Sequence, residues 1–168
     1  LGFSPPRRLV PTYVASNRPL GQRVGGAVAD GTIMEGCGNV AEVKALANEV
    51  RIGAESVGRN VGGTVELVAR LNTCIAEDGK SARDTLRPHV ARTLATGRLG
   101  FATLKSQGIG LPEEAIAGLS ELDYVSGVEP YLHLLELVPD HFVDALSLAG
   151  TTDEVIAQAI ALSQAGVD

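Results

Sequence analysis

The chain has 168 residues, enough for one domain with its own hydrophobic core. Hydrophobic residues make up 45% and charged residues 20%, the balance of a soluble globular domain. The formal net charge of −6 argues against nucleic-acid binding, and no apolar run is long enough to span a membrane. Cys37 and Cys74 have no metal-ligand spacing and do not suggest a disulfide scaffold, so we expect a cytoplasmic protein.

Short β-branched segments alternate with helical patterns along the chain. The first predicted strand covers 11–15, and a turn then leads into a helix over 20–29. A second strand covers 31–35 and is followed by a strongly amphipathic helix over 40–57. The third predicted strand covers 65–76. This alternation predicts a parallel α/β sheet with helices on its outer face.

Two of the predicted helices carry signals that the structure can test. On the helix over 20–29, four apolar residues share one face: Leu20, Val24, Ala27 and Val28. The helix after the third strand covers 81–96, with Ser81 as N-cap and Asp84 in the capping-box position. Pro88 lies inside this helix and predicts a kink or a late start.

The segment 101–145 is less regular, with glycines and prolines between short helical patches. Such a segment predicts a helical insertion over a site or a partner surface. Its apolar residues are expected mainly in the core or a subunit contact: Leu132, Leu134, Leu135, Leu137 and Val138. The histidines have no metal-ligand spacing: His89, His133 and His141. His133 and His141 flank Glu136 and are expected on a polar helix face.

Two stretches carry a resemblance to a known family. The first is Pro11-x-Tyr13-Val14-Ala15-Ser16-Asn17-x-Pro19, which leads through a helix to Ala29-Asp30-Gly31. The second is Leu148-Ala149-Gly150-Thr151-x-Asp153-Glu154-Val155, which contains a helix capping box and is closed by Ala165-Gly166-Val167-Asp168. In this order and spacing they resemble the luciferase-like family, in particular its deazaflavin-dependent branch, which includes methylenetetrahydromethanopterin reductase. The resemblance extends over nearly the whole chain and is weakest over 101–143.

The resemblance implies a fold and an activity. We expect residues 1–168 to be the C-terminal half of one TIM (β/α)8 barrel, with the N-terminal half and the catalytic residues upstream. The implied protein is an oxidoreductase that transfers hydride between the deazaflavin coenzyme F420, or alternatively FMN, and a small organic substrate. A homo-oligomer without nucleic-acid or membrane partners is expected.

The resemblance also assigns the loops that would hold the phosphate end of the cofactor. The matching residues follow the first two strands: Ala15, Ser16 and Asn17, then Glu35, Gly36, Cys37 and Gly38. Small residues let backbone N–H groups approach an anion, and each loop opens a helix N-terminus. We therefore expect 15–17 and 35–38 to lie side by side at one end of the sheet and to form an anion-sized concavity. Some relatives carry a lysine near the position of Gly38, whereas Glu35 adds a negative charge here. Arg18 is a candidate to compensate for it.

Other interpretations remain open at this point. Gly36-x-Gly38-x-x-Ala41 matches a variant of the dinucleotide-binding fingerprint, which also requires an acidic residue at the end of the next strand. Neither nearby acid meets this requirement, because Glu55 lies in a predicted helix and Glu66 lies at the start of a predicted strand. A barrel relative that binds a protein partner through 101–145 is a non-catalytic alternative. Cys37 precedes a helix, where a thiol pKa can fall, but a packed thiol is the favoured interpretation.

Overall fold

A computed structural model describes residues 10–59, 65–97, 108, 110–122 and 127–168; the predicted insertion therefore lies partly outside the described residues. In chain order the elements are β1 (Tyr13–Ala15), α1 (Pro19–Val28), β2 (Gly31–Glu35), α2 (Val40–Ser56), β3 (Glu66–Arg70), β4 (Asn72–Ile75), α3 (Gly79–Gly97), α4 (Glu113–Ser120), a 3₁₀ helix (Glu129–Leu137), α5 (Asp140–Leu146), β5 (Ser147–Gly150) and α6 (Thr152–Gln164). None of the described helices combines the length and apolar character that a membrane span requires.

The first three strands form one parallel sheet in the order β1-β2-β3. At one end of the sheet Tyr13 lies beside Gly31, which lies beside Glu66; at the other end Glu35 lies beside Arg70. β4 and β5 form a second, two-stranded parallel sheet. The prediction of a parallel α/β sheet is thus confirmed, and the carboxyl ends of β1, β2 and β3 meet at one edge.

The third predicted strand, 65–76, was wrong as a single element. The structure divides it at Leu71 into β3, which pairs with β2, and β4, which pairs with β5. Leu71 packs against the apolar cluster under the first sheet, whereas Cys74 packs against a separate cluster. The β-branched pattern predicted the extended backbone, but it contained no signal for the change of pairing partner.

Two apolar clusters lie on either side of this division. The first joins β2, β3, α2 and α6, with these buried members: Met34, Cys37, Val43, Leu46, Val50, Leu67 and Leu162. The second joins α3, α4, the 3₁₀ helix, α5 and β5, and its largest fully buried side chains are Leu94, Leu119, Tyr131, Phe142, Val138 and Val143. The range 101–145 for the insertion stays a prediction. The described helices within that range share an apolar cluster with α3.

The apolar residues of the predicted insertion lie mostly where they were expected. Leu134 and Val138 are buried in the second cluster, and Leu135 and Leu137 pack against it. Leu132 is the exception, because half of its surface is exposed.

The burial of α1 differs from the prediction made from its apolar face. Leu20, Val24 and Val28 are exposed, and the buried residues of α1 are Gln22, Gly25 and Gly26. The reason is a close helix crossing: a Cβ on Gly26 would lie 2.0 Å from the Val50 carbonyl oxygen of α2. Backbone contact thus replaces side-chain contact between α1 and α2.

The start of α3 also corrects a prediction. The helix begins at Gly79, where the Asp78 side chain accepts hydrogen bonds from Ser81 N–H at 2.8 Å and from the Ser81 hydroxyl at 2.7 Å. Ser81 is therefore the donor to the capping residue, and Asp84 pairs with Lys80 and Arg87 outside any capping box. The helix begins nine residues before Pro88 and continues through it, so a late start is wrong.

Two aspartates each form a pair of hydrogen bonds with the backbone of a residue near the start of a strand. The carboxylate of Asp30 accepts from Thr12 N–H at 2.7 Å, while its own N–H donates to the Thr12 carbonyl at 2.9 Å. Asp168 repeats this arrangement on β3, accepting from Leu67 N–H at 2.8 Å and donating to the Leu67 carbonyl at 3.0 Å. The backbone of Val167 and Asp168 is thereby held beside the amino-terminal end of β3.

Candidate functional site

One face of the three-stranded sheet is covered by helices, and the other is open. Side chains alternate along each strand, so that Met34 and Leu67 are buried beneath α2. The alternate residues form what we call the open face: Tyr13, Ala15, Ile33, Glu35, Glu66, Val68 and Arg70. Each of these residues is exposed or partly exposed. Polar groups lie at both ends of the open face, and the small or apolar residues lie between them.

The carboxyl ends of β1 and β2 are joined by the side chain of Asn17. Its Oδ1 accepts from the Glu35 N–H at 2.8 Å, and its Nδ2 donates to the Glu35 carbonyl. The β1–β2 ladder ends at Ala15 and Ile33, so the Asn17 amide acts as one further peptide group beyond it. The two loops assigned by the resemblance are therefore adjacent, as two small-residue loops that each open a helix predicted.

Arg70 completes this edge on β3. Its Nη1 donates to Oε1 of Glu35, and its carbonyl accepts from the Gly36 N–H at 2.9 Å. The side chains of Arg70 and Glu35 are 69% and 66% exposed, so the pair faces solvent and contributes little to stability. The negative charge that Glu35 brings is thus neutralised by Arg70 and not by Arg18.

The buried side-chain amide of Gln22 binds the backbone of the first loop. Gln22 is fully buried, and its Nε2 donates to the carbonyl of Ser16 and, at 3.5 Å, to that of Ile33. The Ser16 hydroxyl accepts from the Arg18 N–H at 3.1 Å. No side chain caps α1, which begins with Pro19. The first turn of α1 therefore keeps N–H groups and a partial positive charge available next to Ser16 and Asn17.

The second loop has fewer donors available than its composition suggests. The N–H of Gly36 donates to Arg70, and the N–H of Gly38 donates to the Ala145 carbonyl at 2.8 Å. Asn39 caps α2 with its own side chain, accepting from the N–H groups of Ala41 and Glu42. Gly36 has a φ of 62°, and a Cβ added there would make ordinary van der Waals contact with the Leu146 carbonyl oxygen at 3.7 Å and with Thr93 Cγ2 at 3.9 Å. This loop therefore has few free donors of its own, and the guanidinium of Arg70 lies beside it.

Cys37 belongs to the interior and not to a reactive surface. It is 1% exposed, and burial raises the pKa of its thiol well above the ordinary value, with a further contribution from the neighbouring Glu42 carboxylate. Glu42 is also buried, and the same loss of solvation raises the pKa of that carboxyl group. The packed-thiol interpretation of Cys37 agrees with this geometry. No group of three or more potential metal ligands occurs among the described residues.

The two loops assigned from the sequence lie next to each other, and two further residues at the same edge were not predicted. The seven assigned positions stay a prediction, and in the structure Asn17 and Glu35 bond each other directly. Arg70 and Gln22 were not anticipated. The signal for Arg70 was its place as the last residue of a strand, the same place that Glu35 has in β2. Gln22 had no signal, because a glutamine in a helix is usually exposed.

The match to a family model decides the relationship of the chain. A model described as luciferase-like monooxygenase matches residues 2–168. The chain belongs to the luciferase-like monooxygenase family. Membership replaces the dinucleotide-binding interpretation, whose acid is also absent, since β3 ends in Arg70.

Solved structures of the luciferase-like family agree with the fold. Coenzyme F420-dependent tetrahydromethanopterin reductase from Methanopyrus kandleri superposes with a TM-score of 0.74 at 22% identity, over 94% of this chain and 43% of that one. An F420-dependent secondary alcohol dehydrogenase in complex with an F420–acetone adduct gives 0.66 at 17% identity, over 96% and 42%. DmoA from Hyphomicrobium sulfonivorans gives 0.50 at 14% identity, over 92% and 35%.

The chain spans less than half the length of these structural neighbours. At these identities the superpositions establish the α/β fold alone. No curated protein sequence matches the chain.

Proposed function

We propose that the protein is an oxidoreductase that transfers hydride between coenzyme F420 and a small organic substrate. Membership of the luciferase-like family supports redox chemistry, and the neighbours named above as F420-dependent favour a deazaflavin. The observation that carries the proposal is the junction of the two loops through Asn17 and Glu35 at the carboxyl ends of parallel strands. Ligands of parallel α/β folds bind at this end of the sheet.

The donor set of this edge suits the phosphate end of such a cofactor. The first turn of α1, which no side chain caps, offers N–H groups, and Arg70 offers the donors of an exposed guanidinium. Ser16 and Asn17 shape the loop that leads into α1, since the Ser16 N–H donates to the Ile33 carbonyl and the Asn17 amide donates to the Glu35 carbonyl. Gly36 lies beside them and adds no side chain to this edge. In this proposal the remaining assigned positions, Ala15, Glu35, Cys37 and Gly38, shape the two loops. When bound, a deazaflavin supplies two-electron hydride transfer, and the residues of this chain hold and orient it.

We further propose that the described strands are part of a TIM barrel, of which the open face is the interior. The exposed middle of that face, at Ala15, Ile33 and Val68, has the small and branched residues that fill barrel interiors. The matching backbone hydrogen bonds of Asp30 and Asp168 support this, because each aspartate holds a chain segment beside the amino-terminal end of a neighbouring strand. The substrate pocket and catalytic groups lie outside these residues in the proposal, and the protein is a homo-oligomer.

FMN is the second candidate, because the family model is described as a monooxygenase. Titration of the purified protein with F420 and with FMN tests both, since each absorbs at wavelengths where amino-acid side chains do not. Tight binding of F420 without oxygen consumption supports the proposal, whereas tight FMN binding with substrate-dependent oxygen consumption favours the monooxygenase. If neither cofactor binds, the proposed function is wrong.

A further inference from the structure

We propose that Arg70 is the residue that selects a phosphorylated cofactor, with Asn17 and Glu35 as the residues that position its guanidinium. This inference rests on the proposed function and adds to it a specific group on the third strand, outside the two loops that the family resemblance assigns. It would make a side chain, and not only backbone N–H groups, responsible for recognising the anion.

The position of Arg70 is fixed by a chain of contacts. Asn17 holds both backbone groups of Glu35, and the carboxylate of Glu35 holds one nitrogen of Arg70. In the described part of the chain, Arg70 is the arginine whose side chain bonds a residue of the candidate site. Its Cα lies directly beside that of Glu35 in the ladder, so both side chains leave the sheet on the open face.

The guanidinium keeps most of its binding capacity. Arginine has five N–H donors in a planar fork, and Glu35 occupies one nitrogen of Arg70 through one carboxylate oxygen. The remaining donors have no partner among the described residues, and the side chain is 69% exposed. A phosphate accepts two such donors at once, which a neutral hydroxyl cannot do.

The backbone N–H groups near the candidate site are largely occupied, so a side-chain donor is needed to bind a phosphate there. The N–H groups of Gly36 and Gly38 are already bonded to protein carbonyls, and Asn39 occupies the first turn of α2. The first loop is similarly occupied, because the Ser16 N–H donates to the Ile33 carbonyl at 3.0 Å and the Arg18 N–H donates to the Ser16 hydroxyl at 3.1 Å. Recognition of a ligand phosphate at this edge would therefore depend on the guanidinium of Arg70.

The test compares matched ligands on matched variants of the full natural chain. FMN and riboflavin differ only in the phosphate, and F420 is compared with its phosphate-free ribityl deazaflavin. Arg70→Gln removes the guanidinium at nearly constant size. Arg51→Gln is the control, because Arg51 also forms an exposed pair with a glutamate, Glu55, on the outer surface of α2. Affinities are measured by fluorescence titration at one ionic strength.

We expect the wild type to prefer the phosphorylated form of the cofactor, and Arg70→Gln to lose about tenfold or more in affinity for that form alone. Arg51→Gln keeps the wild-type preference, and Arg70→Lys, which keeps the charge without the fork, lies between them. An undiminished preference in Arg70→Gln overturns the inference, as does an equal loss for both forms, which indicates a structural role. Binding of no chromophore by the wild type overturns the proposed function itself.

Discussion

Asn17 bonds both backbone groups of Glu35, although the two residues are 18 positions apart in the chain. The side chain thereby continues the pairing of two parallel strands at the point where their own ladder stops. A hydrogen-bonded amide in this position fixes the distance between the two loops. The edge at which a ligand is proposed to bind is therefore organised before the ligand arrives, which reduces the entropy lost on binding.

Replacement of Asn17 tests this organisation. Asn17→Ala removes two hydrogen bonds to backbone groups, so the free energy of unfolding should fall by ~1–2 kcal/mol and cofactor affinity should fall with it. Asn48→Ala is the control, because Asn48 bonds only the exposed side chain of Arg51 on the outer surface of α2. Chemical denaturation and cofactor titration give the two quantities. Wild-type affinity in Asn17→Ala would mean that the two loops need no bridge.

Gly36 and Gly58 form a matched pair for testing the second loop. Both have left-handed φ angles, 62° and 73°, so an aspartate at either position carries a similar backbone strain of roughly 1 kcal/mol. Gly36→Asp also puts a carboxylate where the phosphate is proposed to bind, and it should weaken cofactor affinity. Gly58→Asp, beyond the end of α2, should lose only stability. Equal cofactor affinities in the two variants, measured by titration, would remove the second loop from the site.

The sequence predicted those features of the fold that depend on periodicity. The parallel order of β1, β2 and β3 followed from alternating strand and helix patterns, and α2 was found within one residue of its predicted end. The adjacency of the two loops also followed, since parallel strands bring their carboxyl ends to one edge. These features are local or follow from general rules of connection.

Features that depend on which partner a residue meets were not predictable. The apolar stripe of α1 indicated a buried face, but Gly26 and Gly53 let α1 and α2 approach so closely that the stripe faces outward. The pairing of Glu35 with Arg70 joins residues of different strands, and its existence depends on a register that the sequence does not state. The division at Leu71 likewise depends on β5, which arrives 76 residues later in the chain.

The close crossing of α1 and α2 is sensitive to a single methyl group. A Cβ on Gly26 would lie 2.0 Å from the Val50 carbonyl oxygen, and one on Gly53 would lie 1.8 Å from that of Arg23. These neighbours are backbone atoms and cannot rotate away, so Gly26→Ala or Gly53→Ala should lower the free energy of unfolding by roughly 2–3 kcal/mol. Gly110→Ala, where no atom lies within 4 Å, is the control. The free energies of unfolding are measured by thermal and chemical denaturation. A Gly26→Ala or Gly53→Ala variant as stable as the control would contradict the close crossing of α1 and α2.

Buried Glu42 predicts a pH dependence of stability. Burial raises the pKa of Glu42 above its unfolded value of 4.5, since the charged form loses solvation. The folded state therefore binds the proton more tightly than the unfolded state does, and this contribution is fully present below the unfolded pKa. It is lost as the pH rises through the folded pKa. Glu42→Gln, which cannot ionise, should show a smaller loss of stability above pH 4.5 than the wild type in denaturation series. Identical pH profiles would contradict the assignment.

The exposed stripe of α1 predicts the behaviour of residues 1–168 expressed alone. Leu20 and Val28 are each 71% exposed and Val24 is 48% exposed, and they follow one another at intervals of four on the same helix face. Their helix contacts β1, which is an edge strand of the sheet that the described residues form. Apolar surface of this kind beside an open sheet edge favours association.

We therefore expect these 168 residues to be oligomeric or aggregated on size-exclusion chromatography. Lysines at all three stripe positions should reduce the association, because they add charge to the apolar face without touching the buried glycines of α1. Leu132→Lys is the control, since Leu132 is also half exposed but lies on the 3₁₀ helix, away from β1. A compact wild-type monomer with cooperative unfolding would argue that the sheet edge needs no cover, and hence against the proposal that the described strands are part of a larger barrel.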